Sequence, residues 1–76
     1  MYQAAIRDQF TGEPVTDTRL IHAVAMSLGC SPKREEVDAE LGIWLLDLNE
    51  GAEQILERDG EIDAIIATCH VTIETP

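Results

Sequence analysis

Aromatic and basic residues are scarce in this chain of 76 residues. It has one Tyr, one Phe and one Trp, and five Lys and Arg residues stand against fifteen Asp and Glu residues. A core with so few aromatic rings has to be built from Leu, Ile, Val and Ala, and a hydrophobic fraction of 45% supports such a core. The basic residues are dispersed, so they form no patch that would bind nucleic acid directly. We expect a single small domain, residues 1–76, with no direct nucleic-acid ligand.

Long apolar runs are missing, and cysteines are few. No run approaches the roughly 18 residues that a membrane-spanning helix needs. The first ten residues lack the basic start and the apolar stretch of a signal peptide. The two cysteines, Cys30 and Cys69, are too few for a disulfide framework. These features predict a cytoplasmic protein with reduced thiols and no membrane partner.

Motifs for catalysis, cofactor binding and metal binding are not recognisable. The five glycines stand alone, so there is no glycine-rich phosphate loop. His22, Cys30, Cys69 and His70 are the candidate zinc ligands, but adjacent Cys69 and His70 would point to opposite faces of a strand. His22 and Cys30 lie at opposite ends of a predicted helix, which also argues against a nucleophile pair. We therefore predict no metal, no cofactor and no enzymatic activity.

The negative charge is concentrated in one part of the chain. The net charge is -10, and residues 35–63 hold eleven acids and one base, Arg58, so this segment accounts for all of it. Such a field repels nucleic acid and membrane surfaces and attracts basic ones. The alternative is that the acids form a solvated face that aids solubility.

Two elements in the first half of the chain have clear signals. In the stretch YQAAIRD, Tyr2, Ala4 and Ile6 alternate with Gln3, Ala5 and Arg7, which suggests a short strand, and a helix is the alternative because Gln, Ala and Arg favour it. A helix is predicted between N-cap candidates at residues 16–18 and a stop at Gly29. Its apolar residues fall on one face.

A second, longer helix is predicted from residue 31 onward. Ser31 is a suitable N-cap and Pro32 suits the first helical position. Beyond them, an apolar series with spacings of 4, 3 and 4 indicates one helical face: Val37, Leu41, Trp44 and Leu48. The pattern continues to about residue 58. Because a straight helix of that length would exceed the size of the domain, we expect a kink or break near Gly51.

The end of the chain is ambiguous. Residues 62–69 fit either a helix or a strand, whereas the β-branched residues favour a strand from 68 to 74. The predicted fold class is therefore α+β, with two or three helices packed on a short sheet of the two terminal strands. An all-α helical bundle is the alternative.

The second predicted helix presents an acidic face opposite its core face. Ile43 and Leu46 project among the acids and, three residues apart, would be neighbours. Three interpretations stay open for this pair: coverage by the same chain, a homodimer contact, or docking of a basic partner. The predicted partner-binding residues are Glu36, Glu40, Ile43, Leu46, Asp47, Glu50, Glu53 and Glu57.

The predicted function is protein binding. An acidic helix face would dock into a basic groove of a nucleic-acid-binding protein and inhibit it, because carboxylates can stand in for phosphates. Phage and mobile-element inhibitors of host defence, including anti-CRISPR proteins, share this size and charge, although no motif supports the comparison. The alternative is a homo-oligomeric structural or adaptor protein that self-associates through Ile43 and Leu46.

Overall fold

One antiparallel sheet with two helices on one of its faces forms the fold in the computed structural model. The structure describes residues 1–38 and 40–75, and the side chains of all of these except residues 30–37. In chain order the elements are β1 (Tyr2–Asp8), α1 (Thr18–Leu28), β2 (Gly29–Asp38), β3 (Ile43–Leu48), α2 (Glu50–Asp59), β4 (Glu61–Ile66) and β5 (Cys69–Glu74).

The sheet has the strand order β2-β3-β1-β5-β4 across the described residues, and every neighbouring pair is antiparallel. The predicted pairing of the first and last strands is present, with Ile6 opposite Val71. It is the centre of a larger sheet, however, and the described chain is richer in strand than in helix. The predicted fold class, helices on a two-stranded sheet, is therefore wrong, and so is the alternative of a helical bundle.

Residues 31–48 do not form the predicted second helix. The described residues of this range form β2, a turn and β3, and Trp44, Leu46 and Leu48 are buried at every second position. The 4-3-4 spacing is coincidental: Leu41, one of its members, lies in the turn and is 53% exposed. The Val37 side chain lies outside the described residues. The turn is stabilised by the Asp38 carboxylate, which accepts hydrogen bonds from the backbone N–H groups of residues 40 and 41.

The predicted first helix is confirmed as α1. The Asp17 carboxylate caps its start by accepting from the Arg19 N–H at 2.9 Å, and the Gly29 N–H donates to the Ala25 carbonyl at its end. Asn49 caps α2 in the same way, through the Ala52 N–H at 2.8 Å. A helix therefore begins near the predicted break at Gly51 instead of passing through it. Residues 62–69 form β4 and the turn that leads into β5.

The core lies between the two helices and one face of the sheet. Alternate strand residues such as Ala4, Ile6 and Leu46 are fully buried there, as the period of two in a strand requires. The helix α1 packs on β2 and β3, and α2 packs on β4. Within the described residues, neither helix covers the opposite face of the sheet, which we call the open face.

Candidate functional site

The open face combines apolar and acidic side chains. It carries the strand residues whose parity is opposite to that of the core residues, and the register places Ala5 beside both Ile43 and Thr72. Its described members are Gln3, Ala5, Arg7, Ile43, Leu45, Asp47, Glu61, Asp63, Ile65, His70, Thr72 and Glu74. All of them are exposed or half-buried, in contrast to the buried residues on the core face.

A groove of about 590 Å³ lies along the middle of this face. Ala5 has a short side chain and lies in register between Ile43 on one side and Thr72 on the other, which leaves a trough over β1. Ile43 and Leu45 give the groove an apolar wall, and Gln3 and Glu74 add polar groups to its lining. Grooves with apolar walls and a few polar groups are the usual form of a binding site.

The charge of the open face is predominantly negative. Four exposed carboxylates belong to its described side chains: Asp47, Glu61, Asp63 and Glu74. The one guanidinium in this set, that of Arg7, donates to two loop carbonyls, at 3.0 Å to Gly12 and 3.3 Å to Leu41. The His70 Nε2 atom lies 2.5 Å from the Asp63 Oδ1 atom. Four carboxylates outnumber this one guanidinium, so the described face is negative, with the Asp63 carboxylate already in contact with His70.

Ile43 and Leu46 are not neighbours. In a strand, residues three positions apart lie on opposite faces. Ile43 is half-buried and lines the groove, whereas Leu46 is 0% exposed and belongs to the core. The first of the three interpretations, coverage by the same chain, therefore describes Leu46 alone. The paired apolar spot among acids is absent because the helix that would have created it is absent.

The predicted acidic residues do not share one surface. Asp47 is exposed on the open face, and Glu40 is exposed in the β2–β3 turn. Glu50, Glu53 and Glu57 belong to α2, which packs on the core face through Ala52 and Leu56 and so lies on the other side of the sheet. Glu36 is opposite Trp44 in the β2–β3 register, and its side chain lies outside the described residues.

Several residues of the open face are missing from the sequence prediction. Leu45, Asp63 and Thr72 come from three different strands, and Ala5 comes from a fourth. The sequence signal that could have identified them is alternation, since Trp44, Leu46 and Leu48 alternate with Ile43, Leu45 and Asp47. The same segment also has apolar residues at spacings of 4, 3 and 4, and this helical pattern was given more weight than the alternation.

Two of the four candidate zinc ligands, Cys69 and His70, lie on opposite faces of β5, and the Cys30 side chain lies outside the described residues. Within them, no group of three or more His, Cys, Asp or Glu side chains is arranged to hold a metal ion. Cys69 is a free cysteine in the core, whereas His70 faces the other way, toward Asp63. Burial of Cys69, with smaller contributions from the Asp8 and Asp17 carboxylates, raises the pKa of its thiol and disfavours the reactive thiolate.

Two further findings bear on the class of protein. Neither helix of the described residues has the length and apolar character needed to cross a membrane. No protein-family model, no curated protein and no solved structure matches the chain.

Proposed function

We propose that the protein binds a basic segment of a partner protein on its open face. The observation that carries this proposal is the coincidence, on one uncovered sheet face, of an apolar groove and four exposed carboxylates. This surface replaces the acidic helix face predicted from the sequence. Ile43 and Asp47 are the two predicted residues that the proposal retains on it.

The arrangement of the open face supports protein binding. Interfaces typically have an apolar centre, which supplies affinity, and a polar rim, which supplies specificity and register. Here Ile43 and Leu45 lie at the groove, while Asp47, Asp63 and Glu61 lie toward its surroundings on neighbouring strands. The negative field would accelerate association with a basic partner, and added salt would weaken it.

The partner in this proposal is a nucleic-acid-binding protein. The surface of such a protein is already basic, and carboxylates can occupy the positions at which it binds phosphates. By occupying that surface, the chain would inhibit its partner by binding alone, without catalysis. It would then act as an inhibitor of host defence, a class that includes anti-CRISPR proteins. The proposal keeps the cytoplasmic location, where Cys69 would persist as a free thiol.

The test compares two variants with equal charge and different surfaces. Each replaces four carboxylates by amides and changes the net charge from -10 to -6. The first, the open-face variant, changes Asp47, Glu61, Asp63 and Glu74. The second, called the α2 variant, changes Glu50, Glu53 and Glu57 in α2 and Glu40 in the β2–β3 turn. Affinity capture from the source cells identifies the partner, and calorimetry with the purified partner measures binding at low and high salt.

We expect the open-face variant to lose most of its affinity and its salt dependence. The α2 variant should bind like the parent protein, apart from the small effect of net charge. If the α2 variant is the one that loses binding, the open face is not the recognition surface. If both lose affinity equally, long-range charge alone explains the attraction.

Self-association through the open face is the second candidate function. The apolar residues Ile43, Leu45 and Ile65 favour it, since a face with such side chains can pack on a second copy. The carboxylates of two copies would repel, so salt should strengthen this association, the opposite of its effect on a basic partner. Sedimentation equilibrium at two salt concentrations distinguishes the two candidates.

A further inference from the structure

The β4 strand forms the regular edge of the sheet. It pairs with β5 over six consecutive positions without a register shift, from Glu61 opposite Glu74 to Ile66 opposite Cys69. The strand at the other edge, β2, has register shifts against β3, and such irregularities protect an edge from further pairing. β4 contains neither proline nor lysine, two residues that commonly protect an edge strand.

The outer backbone groups of β4 have no hydrogen-bond partner in the described part of the chain. β4 is the last strand in the sheet order, and no backbone hydrogen bond from a turn, loop or cap of the described residues reaches residues 61–66. In an antiparallel ladder, about half of the N–H and C=O groups of an edge strand point away from its neighbour. These groups can pair with an added strand from another protein.

The side chains of β4 determine which strand fits. Glu61 and Asp63 are exposed on the open face, followed by Ile65, which is 56% exposed. On the core face, Ile62 is buried, and residues 64 and 66 are half-buried and apolar. An added strand would therefore place basic residues beside the two acids and apolar residues at the alternate positions.

A second copy of this chain does not fit the same edge well. Two β4 strands related by a two-fold axis can pair over residues 61–65, with Asp63 opposite Asp63, or over residues 62–66, with Asp63 opposite Ile65 and diagonal to the other Asp63. In neither register does an acid of β4 meet a basic residue. Like charges directly opposite each other in a sheet are destabilising. The charge of β4 thus favours a basic strand over self-pairing.

We propose that the β4 edge binds an extended basic segment by strand addition, which extends the sheet by one strand. This inference shares with the proposed function the positive charge of the partner and the carboxylates Glu61 and Asp63. The site is different: the ligand pairs with the β4 backbone beside the sheet and does not enter the groove over Ala5. The two proposals can therefore fail independently.

The test uses a synthetic hexapeptide, Val-Thr-Val-Lys-Val-Lys, whose antiparallel pairing places lysines beside Glu61 and Asp63. Titration into the ¹⁵N-labelled protein should shift β4 amide signals and slow their hydrogen exchange. Two further peptides carry N-methyl groups at the odd or the even positions. Because only alternate amides face β4, one set should abolish binding and the other should tolerate it.

A charge-reversal variant provides the second readout. Glu61→Lys with Asp63→Lys should bind the lysine peptide roughly tenfold more weakly, since two favourable pairs become repulsive. The same variant should gain affinity for Val-Thr-Val-Glu-Val-Glu. The matched control, Glu13→Lys with Glu40→Lys at exposed loop positions outside β4 and α2, makes the same change in charge and should leave binding within a factor of two of the parent's, allowing for screened long-range charge.

Three outcomes would overturn the inference. Equal binding of both N-methylated peptides would show that no ladder forms. Shifts confined to Ala5, Ile43 and Leu45 would place the peptide in the groove, and dimerisation through β4 would replace the basic partner by a second copy. Groove binding of a basic partner without strand addition would leave the proposed function intact and remove this inference alone.

Discussion

The backbone N–H of Ile6 donates to the Gly42 carbonyl over 2.9 Å, and a Cβ atom on Gly42 would lie only 2.6 Å from the Ile6 carbonyl oxygen. The Ile6 carbonyl oxygen accepts a hydrogen bond from the Val15 N–H at 3.1 Å. The β1–β3 register ends at Ala5 opposite Ile43. Gly42, with φ of +70°, therefore extends the pairing of the central strand by one residue before β3 begins at Ile43.

Replacing Gly42 by alanine should destabilise the fold far more than the same change at Gly12. Both residues have φ near +70°, but Gly12 has nothing within 4 Å of the added methyl group. We expect Gly12→Ala to lower the free energy of unfolding by about 1 kcal/mol and Gly42→Ala by roughly 3 kcal/mol or more, because only the latter forces backbone apart. Urea unfolding followed by Trp44 fluorescence measures both. Equal losses would mean that the contact with Ile6 contributes nothing.

Leu46 and Ile43 should respond differently to truncation. Leu46→Ala leaves a cavity in the core and should lower the free energy of unfolding by about 3 kcal/mol. Ile43→Ala removes surface on the open face and should cost about 1 kcal/mol or less. For the proposed partner, the folded Ile43→Ala variant should lose more affinity than the folded Leu46→Ala variant. Similar unfolding losses for the two variants would contradict their placement on opposite faces.

Filling the groove should block binding without unfolding the protein. Ala5→Leu adds bulk to a half-buried position between Ile43 and Thr72 and leaves the core unchanged, so the free energy of unfolding should shift by about 0.5 kcal/mol or less. Calorimetry with the partner should show at least a tenfold loss of affinity, equivalent to about 1.4 kcal/mol. The control Gln54→Leu adds the same side chain to the exposed side of α2 and should bind normally.

The turn between β4 and β5 should accept a stabilising replacement. Ala67 and Thr68 have φ of 50° and 63°, in the left-handed region that is unfavourable for a β-branched residue. Two-residue hairpin turns of this kind favour Asn followed by Gly. Ala67→Asn with Thr68→Gly should raise the free energy of unfolding by roughly 1–2 kcal/mol. A lower melting temperature for the double variant would show that the Thr68 side chain contributes more than its strain costs.

The contribution of Asp8 should depend on pH. Its carboxylate accepts from the N–H groups of Thr11 and Phe10, at 2.9 and 2.8 Å, and these bonds lower the pKa of Asp8. A group with a lowered pKa stabilises the fold above its unfolded-state pKa, and this stabilisation is lost as the pH falls through the folded-state pKa. The difference in unfolding free energy between the parent and Asp8→Ala should therefore be full at pH 7 and shrink below about pH 4.

The matched comparison for this pH effect is Asp8→Asn against Asp8→Ala. The asparagine can still accept a hydrogen bond but does not titrate, so the difference between these two variants should stay constant over the same pH range. A parent-minus-alanine difference that is also constant would mean that the Asp8 hydrogen bonds do not favour its charged form.

Local signals in the sequence predicted some elements well. Asp17 and Gly29 delimit α1, because a cap forms within a few residues and needs no distant partner. The same is true of the alternation in β1 and of the β-branched residues in β5. The net negative charge of the chain could also be predicted, because it depends on composition and not on the fold.

The error at residues 31–48 arose where local patterns conflict. Leu41, Trp44 and Leu48 fit a helical period, while Trp44, Leu46 and Leu48 fit a strand, and this run of apolar residues satisfies both. The left-handed turn at Gly42 separates two strands and so excludes the helix. This turn is stabilised by Ile6 on another strand, and such a distant contact is not visible in the local sequence. The groove could not be predicted for the same reason, because Ala5, Ile43 and Thr72 meet only through the register of three strands.

The position of β1 also has a consequence for synthesis of the protein on the ribosome. β1 is made first, yet one of its two neighbours, β5, contains Val71, which lies opposite Ile6. A nascent chain that has not yet released residues 69–74 from the exit tunnel lacks the pairing on one side of its central strand. The domain should therefore fold after β5 emerges and not progressively during translation.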